Sequence, residues 1–198
     1  MRLLLLFVLS AFTFLDSHSQ INNIALPVNS FAPEFTAVDH LGDTISSKEI
    51  LESSDYIVLI FYRGNWCSYC KMHLSSLQDS LPLLLDRNAT VIAVTPEQNE
   101  SIAQMVSKTG AKFSIIHDID YKIMKAYNVD YIINNLTVTK YLGPVQTRAA
   151  KANGNDDGIL PVPATYLIGK NGLIKWVQFN PDYTKRSSIG EIIEAMED

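Results

Sequence analysis

The sequence predicts an α/β fold, one central sheet with helices on both faces. Three observations lead there. Residues Tyr56 to Tyr62 (YIVLIFY) are β-branched, aromatic or leucine throughout, which suits a strand buried on both sides. Cys70, Leu74, Leu77 and Leu81 then fall at i, i+4, i+7 and i+11, the stripe of an amphipathic helix lying on a core. Beyond them, apolar runs and helix-period segments keep alternating, as in strands joined by crossover helices.

Taken in order, the chain of 198 residues opens with Arg2, an apolar stretch from Leu3 to Leu15 interrupted by Ser10 and Thr13, and the small polar run Ser17-His18-Ser19. This is the layout of a secretory signal peptide. The expectation is therefore a signal over residues 1–19, a single domain over 20–198, and export to a periplasmic or extracellular compartment. The apolar stretch is shorter than the ~20 residues of a membrane span. Left uncleaved, it would instead be an N-terminal anchor and the only membrane contact.

Phe35 to Asp39 and Thr44 to Ser46 flank His40-Leu41-Gly42-Asp43, a hairpin with Gly42 in the turn. A short helix over 47–51 leads into the central strand, and Pro82 is expected to kink or end the helix that follows. Thr90 to Thr95 reads as a second, parallel strand. Next come a helix over 99–109, a strand over 113–117 and a helix over 121–127. The segment 128–161 has mixed periodicity, with room for a helix between Tyr131 and Ala150 and a loop over Ala152 to Gly158. Ala164 to Ile168 and Leu173 to Phe179 form a hairpin around Asn171-Gly172, and a last helix runs from about Arg186 to Met196. No internal repeat or second domain is visible.

The formal charge is −5, and acidic and basic residues are interspersed. Without a basic stripe, nucleic acid is not an expected partner.

Chemistry concentrates in Phe61 to Cys70 (FYRGNWCSYC), which holds the chain's two cysteines. Cys67 is placed at the helix start and Cys70 about one turn inside. Unpaired N–H groups and the macrodipole favour an anion there, and such thiols can drop from about 8.5 to between ~3.5 and ~7.5 in pKa. Arg63 adds positive charge if its side chain turns toward the sulfurs. Position alone makes Cys67 the nucleophile and Cys70 its resolving partner. Two plainer roles compete. Half a zinc site would need ligands from the scattered His18, His40, His73 and His117, so no metal is expected. An inert disulfide closing so short a ring gains little chain-entropy stabilisation. A redox-active Cys67–Cys70 disulfide, working without a cofactor, remains the leading reading.

Three blocks carry a resemblance: Ala32 to Asp43 (APEFTAVDHLGD), Tyr62 to Cys70 (YRGNWCSYC), and Leu160 to Gly169 (LPVPATYLIG) followed by Asn180 to Arg186 (NPDYTKR). Together they resemble the thioredoxin fold and, within it, the peroxiredoxin-like proteins grouped with alkyl hydroperoxide reductase and thiol-specific antioxidant. The match spans most of the mature chain. It implies a thioredoxin-like central mixed sheet with an N-terminal β-hairpin extension and an insertion before a cis-proline strand. Pro163 would be that cis-proline facing the cysteines, the Val162 backbone would be open to a bound disulfide or peptide, and Trp66 would shield the pair.

Two departures stand out. The peroxiredoxin pattern P-x-x-x-T-x-x-C, laid on this segment, puts Arg63 at the proline, Cys67 at the threonine and Cys70 at the attacking cysteine. The alignment thus favours Cys70 where helix position favours Cys67. The buried acid that thioredoxins carry six residues before their first cysteine is Phe61 here. Proton transfer then falls to Glu97 or water, with His73 a weaker candidate. The implied activity is reduction of hydrogen peroxide or alkyl hydroperoxides, with Arg63 holding the peroxide and an external dithiol, such as a thioredoxin-like protein, as reductant. The alternatives are an exported thiol–disulfide oxidoreductase acting on protein disulfides, and a redox-inert scaffold that uses 128–161 as a contact surface.

Overall fold

The computed structural model describes residues 24–133 and 139–197. The expected signal peptide lies outside the described residues. The first hairpin pairs β1 (Thr36–Val38) with β2 (Thr44–Ser46), Ala37 opposite Ile45. Its turn is held by Asp39, whose carboxylate accepts from the N–H groups of Leu41 and Asp43 at 2.9 and 3.0 Å. Gly42 supplies the positive φ of 93° that the turn requires. Ser46 then caps α1 (Ser47–Ser53) by accepting from the Glu49 N–H.

The central sheet is built from β3 (Tyr56–Phe61), β4 (Ala89–Thr95), β5 (Ser114–His117), β8 (Ala164–Gly169) and β9 (Ile174–Phe179), in the order β5-β4-β3-β8-β9. β3, β4 and β5 run parallel, with Leu59 opposite Ile92. β8 is antiparallel to β3, pairing Ala164 with Phe61, and β9 is antiparallel to β8. This is the thioredoxin-like mixed sheet that the sequence implied.

β3 is buried on both faces, and its period of two divides the core. Val58, Ile60 and Tyr62 face one apolar cluster, and Ile57, Leu59 and Phe61 face another. The first is closed by α2 (Ser68–Asp79), α3 (Leu81–Leu85), α4 (Asn99–Thr109) and α7 (Ile189–Glu197), which contribute Leu74, Leu77, Leu84, Ile102, Met105 and Ile192. The second is closed by α1 and α5 (Lys122–Ala126), with Ile50, Ile123 and Met124.

Several boundaries differ from expectation for local reasons. Pro82 stands in the first turn of α3, where a missing N–H costs nothing, so it starts a helix after α2 has ended at Asp79. The last helix begins at Ile189 because Ser188 and Glu191 form a reciprocal capping box. The helix expected over 121–127 is shortened, since Asp120 and Tyr121 take positive φ within a 3-10 turn over Ile119–Tyr121. The Asp118 carboxylate then accepts from the Ile123 and Met124 N–H groups.

Within 128–161 the structure adds β6 (Asp130–Ile132), antiparallel to β7 (Ile159–Pro161), and α6 (Thr139–Asn153). Ala152 and Asn153 are therefore helical, not loop. Ile133, Ala149 and Leu160, with Val145 and Tyr131, form a third small apolar cluster, and Trp66 packs against both this cluster and the first. The insertion thus closes over the tryptophan beside the cysteines.

Candidate active site

β3 delivers Tyr62 just past its C-terminal end, where the Tyr62 N–H still donates to the Val94 carbonyl. The chain then turns through 63–66 into α2, tied down by polar contacts to the β4–α4 connection. The Asn65 N–H donates to Glu97 Oε1 at 2.7 Å, and its side-chain amide donates to the Ser101 carbonyl and to Gln104 Oε1. Gly64 has a φ of 152°, and a Cβ there would come within 2.5 Å of Trp66 Nε1 and 2.7 Å of Glu97 Oε1. Only glycine lets Trp66 and Glu97 approach the backbone this closely.

Cys67 is the N-cap of α2, and its sulfur accepts from the Cys70 N–H at 3.4 Å. Both cysteines are free thiols and both are buried, Cys67 at 5% exposure and Cys70 at 0%. The guanidinium of Arg186 donates to Cys70 Sγ at 3.4 Å. Burial opposes ionisation of Cys70, but a hydrogen bond from the Cys67 thiol, the charge and hydrogen bond of Arg186, and the Arg63 backbone N–H outweigh it and lower the Cys70 value. Cys67 moves the opposite way. Its hydrogen bond to Cys70, its burial and the Cys70 charge push it up, against the Cys70 N–H and the Arg63 charge. Charge therefore favours Cys70, the sulfur to which the alignment pointed. Position at the helix end takes no account of the Arg186 guanidinium or of the hydrogen bond between the two thiols.

Arg63 does turn toward this site. Its guanidinium lies 5.1 Å from the Trp66 ring and 4.6 Å from the Tyr183 ring, beside the Tyr131 hydroxyl. Tyr183 in turn meets Tyr69 edge-on at 5.9 Å. His73 is buried, its Nε2 3.1 Å from the Ser187 hydroxyl, which lies 2.8 Å from that of Thr165. Burial and the Arg186 charge lower the His73 value to about 4, so it is neutral at pH 7 and holds Ser187, the neighbour of Arg186. Glu97 is fully buried, and burial, with a contribution from the Cys70 charge, raises it to about 8 against the Asn65 N–H and the Lys108 charge.

Two expectations are corrected. The Val162–Pro163 peptide is trans, as no cis bond occurs among the described residues. Pro163 is buried at the start of β8, just past the Ala164–Phe61 pair and so at the cysteine end of β3. The Val162 N–H is not open to a ligand, because it donates to the Val129 carbonyl at 2.7 Å. That bond and the β6–β7 ladder lead the chain into β8 with the ordinary trans isomer.

Arg186, Tyr183, Tyr131 and Tyr62 join the site without having been assigned to it from sequence. The signal for Arg186 was present, since it ends the NPDYTKR block, but nothing local links that block to a cysteine 116 positions earlier. Among the described residues no group of three or more His, Cys, Asp or Glu side chains is placed to hold a metal ion.

Known proteins bear on this geometry. The chain is 24% identical over 157 residues to a thiol-disulfide oxidoreductase, ResA, of Geobacillus kaustophilus, covering 77% of this chain and 70% of that protein. It is 23% identical over 106 residues to a peroxiredoxin, Bcp, of Bacillus subtilis, covering 54% and 66%. Among solved structures it superposes on the peroxidoxin BcpB from Mycobacterium tuberculosis with a TM-score of 0.66 at 12% identity, over 87% of this chain and 95% of that one. At such identity the superposition speaks to the fold. The AhpC/TSA family model matches residues 28–177, from ahead of the first hairpin into β9, and the chain belongs to the AhpC/TSA family.

Proposed function

We propose that the protein is a thiol-dependent peroxidase that reduces hydrogen peroxide or alkyl hydroperoxides through a Cys67–Cys70 dithiol–disulfide cycle. The observation that carries this reading is the Arg186 guanidinium, 3.4 Å from Cys70 Sγ, in a chain of the AhpC/TSA family. The Cys70 thiolate attacks the distal peroxide oxygen. The O–O bond breaks, Cys70 becomes a sulfenic acid, and the alkoxide or hydroxide leaves to be protonated. Arg186, with Arg63 across the Trp66 and Tyr183 rings, stabilises the charge that develops on the leaving oxygen. The Cys67 sulfur then displaces hydroxide from Cys70. Its proton leaves with the hydroxide as water, and the disulfide closes. An external dithiol, for which a thioredoxin-like protein is the natural candidate, returns two electrons and two protons.

Each cysteine has its own test. With peroxide and a sulfenic-acid trap, Cys67→Ser is expected to carry the adduct on Cys70, and Cys70→Ser is expected to consume peroxide no faster than the double variant. An adduct on Cys67 alone reverses the assignment, and no cysteine-dependent peroxide consumption sinks the peroxidase reading.

A second reading is disulfide exchange on exported proteins, favoured by Cys67 being the slightly more exposed sulfur at the helix end and by the relative named as a thiol-disulfide oxidoreductase. Cysteine-dependent reduction of insulin without peroxide consumption would establish it instead. Export itself rests on the segment from Arg2 to Ser19, and N-terminal sequencing of protein recovered outside the cytoplasm, expected to begin at Gln20, tests it. No described helix is long and apolar enough to cross a membrane.

A further inference from the structure

We propose that the Glu97 carboxyl stores the proton that accompanies opening of the Cys67–Cys70 disulfide and gives it up when the disulfide closes. The inference rests on the reading of these cysteines as a redox pair, and it concerns a side chain that the peroxidase steps do not use.

Glu97 follows β4 directly and is fully buried. One oxygen accepts from the Asn65 N–H at 2.7 Å, while the other is buried with no hydrogen-bond partner. Two more polar atoms near it are buried and unpartnered: Trp66 Nε1, which with Glu97 Oε1 crowds the position a Gly64 side chain would take, and the Tyr62 hydroxyl. Tyr62 lies close enough to interact with Glu97, Thr95 and Cys70 without reaching hydrogen-bonding geometry to Glu97. A carboxylate with an unpaired oxygen in such a place is unfavourable, whereas a protonated carboxyl is not. The groups that face it are Tyr62, just past β3, Asn65 and Trp66 from the loop, Lys108 from α4 and Cys70 from α2. Lys108 and the Asn65 N–H favour the charged form, and burial and the Cys70 thiolate oppose it.

Of these opposing influences only the thiolate changes with redox state. With the pair reduced, its charge helps keep Glu97 protonated. Closing the disulfide removes that charge, so Glu97 becomes a stronger acid and releases its proton. In the reverse direction an external dithiol supplies two electrons and two protons. One proton goes to the Cys67 thiol, and Glu97 takes the other while Cys70 stays a thiolate. In the pH window where this exchange operates, reduction by a protonated dithiol releases less than one proton to solvent. Without Glu97 it releases one.

Equilibration of the whole protein with dithiothreitol at a series of pH values tests this directly. Just below the Glu97 value of about 8, the wild-type constant is expected to change less steeply with pH than that of the Glu97→Gln variant. That of Glu97→Gln is expected to shift about tenfold toward the reduced protein per pH unit, equivalent to about 30 mV. Equal slopes in the two proteins overturn the proposal. Infrared difference spectra of the wild type need no variant: a protonated-carboxyl band present when reduced and lost on oxidation is expected, and its absence overturns the proposal even if the variant fails to fold. A chain that forms no Cys67–Cys70 disulfide defeats the redox reading and this inference with it. A reversible disulfide with unchanged slopes defeats this inference alone.

Discussion

Along β3, the side chains from Ile57 to Phe61 are buried among apolar neighbours on both faces, and hydrogen bonds of the ladder satisfy the backbone. Where β3 and β4 end, space just as well buried is filled with polar atoms. Tyr62 Oη, Arg63 Nε, Trp66 Nε1 and Glu97 Oε2 lie there without hydrogen-bond partners, around two thiols that share one hydrogen-bonding arrangement. The interior gains stability from removing apolar surface. The ledge above it spends part of that stability to hold groups in protonation states that water would not favour. The two regions meet in α2, whose Leu74 and Leu77 belong to the interior and whose first turn carries both sulfurs' contacts.

Substitutions on either side of that boundary should separate the two roles. Leu77→Ala removes a fully buried side chain and is expected to cost about 2–5 kcal/mol in denaturant unfolding, with thiol titration nearly unchanged in the protein that remains folded. A large change in the thiol values would show that the ledge is not independent of the core. Arg186→Gln removes a charged donor from Cys70, an interaction of about 1.5–3 kcal/mol. Thiolate absorbance should therefore titrate upward by about one to two pH units, with peroxide consumption at neutral pH falling accordingly. Glu97→Gln acts through pH. Because the folded value is raised, Glu97 stabilises the fold fully below its unfolded value of about 4.3 and progressively less as pH rises toward about 8. The variant should therefore gain on the reduced wild type by up to about 1.4 kcal/mol per pH unit across that interval, measured by urea unfolding at each pH. Lys170→Ala, which deletes a solvent-exposed ion pair with Asp55 at the end of β3 opposite the thiols, should leave the melting temperature and the thiol titration where they are.

Most of the interior could be read from the chain because it is periodic. The two-residue alternation in β3 and the leucine stripe of α2 are one-dimensional records of which face is buried. Turns with a residue-type requirement were equally readable, as at Gly42 and Gly172, both with positive φ. The insertion was not. β6 and β7 are three residues each, too short to show a period, and they exist because residues 130–132 find 159–161 across the intervening helix. α2 ends ahead of Pro82 as expected, but that the same proline opens α3 was not readable, because a proline that ends one helix and a proline that begins the next look alike until the ends are seen.

By itself the sequence determined the sheet and its covering helices, the place of Cys67 at a helix start and of Cys70 one turn inside, and the membership of both in one redox motif. Those properties depend on neighbours a few residues apart or on residue type alone. Tertiary structure supplied the charge that favours ionisation of Cys70. That depends on Arg186, brought 116 positions along the chain to Cys70, and on the Cys67 thiol beside it. Electrostatic energy falls with distance in space and rises as water is excluded. Neither quantity is written in the order of residues.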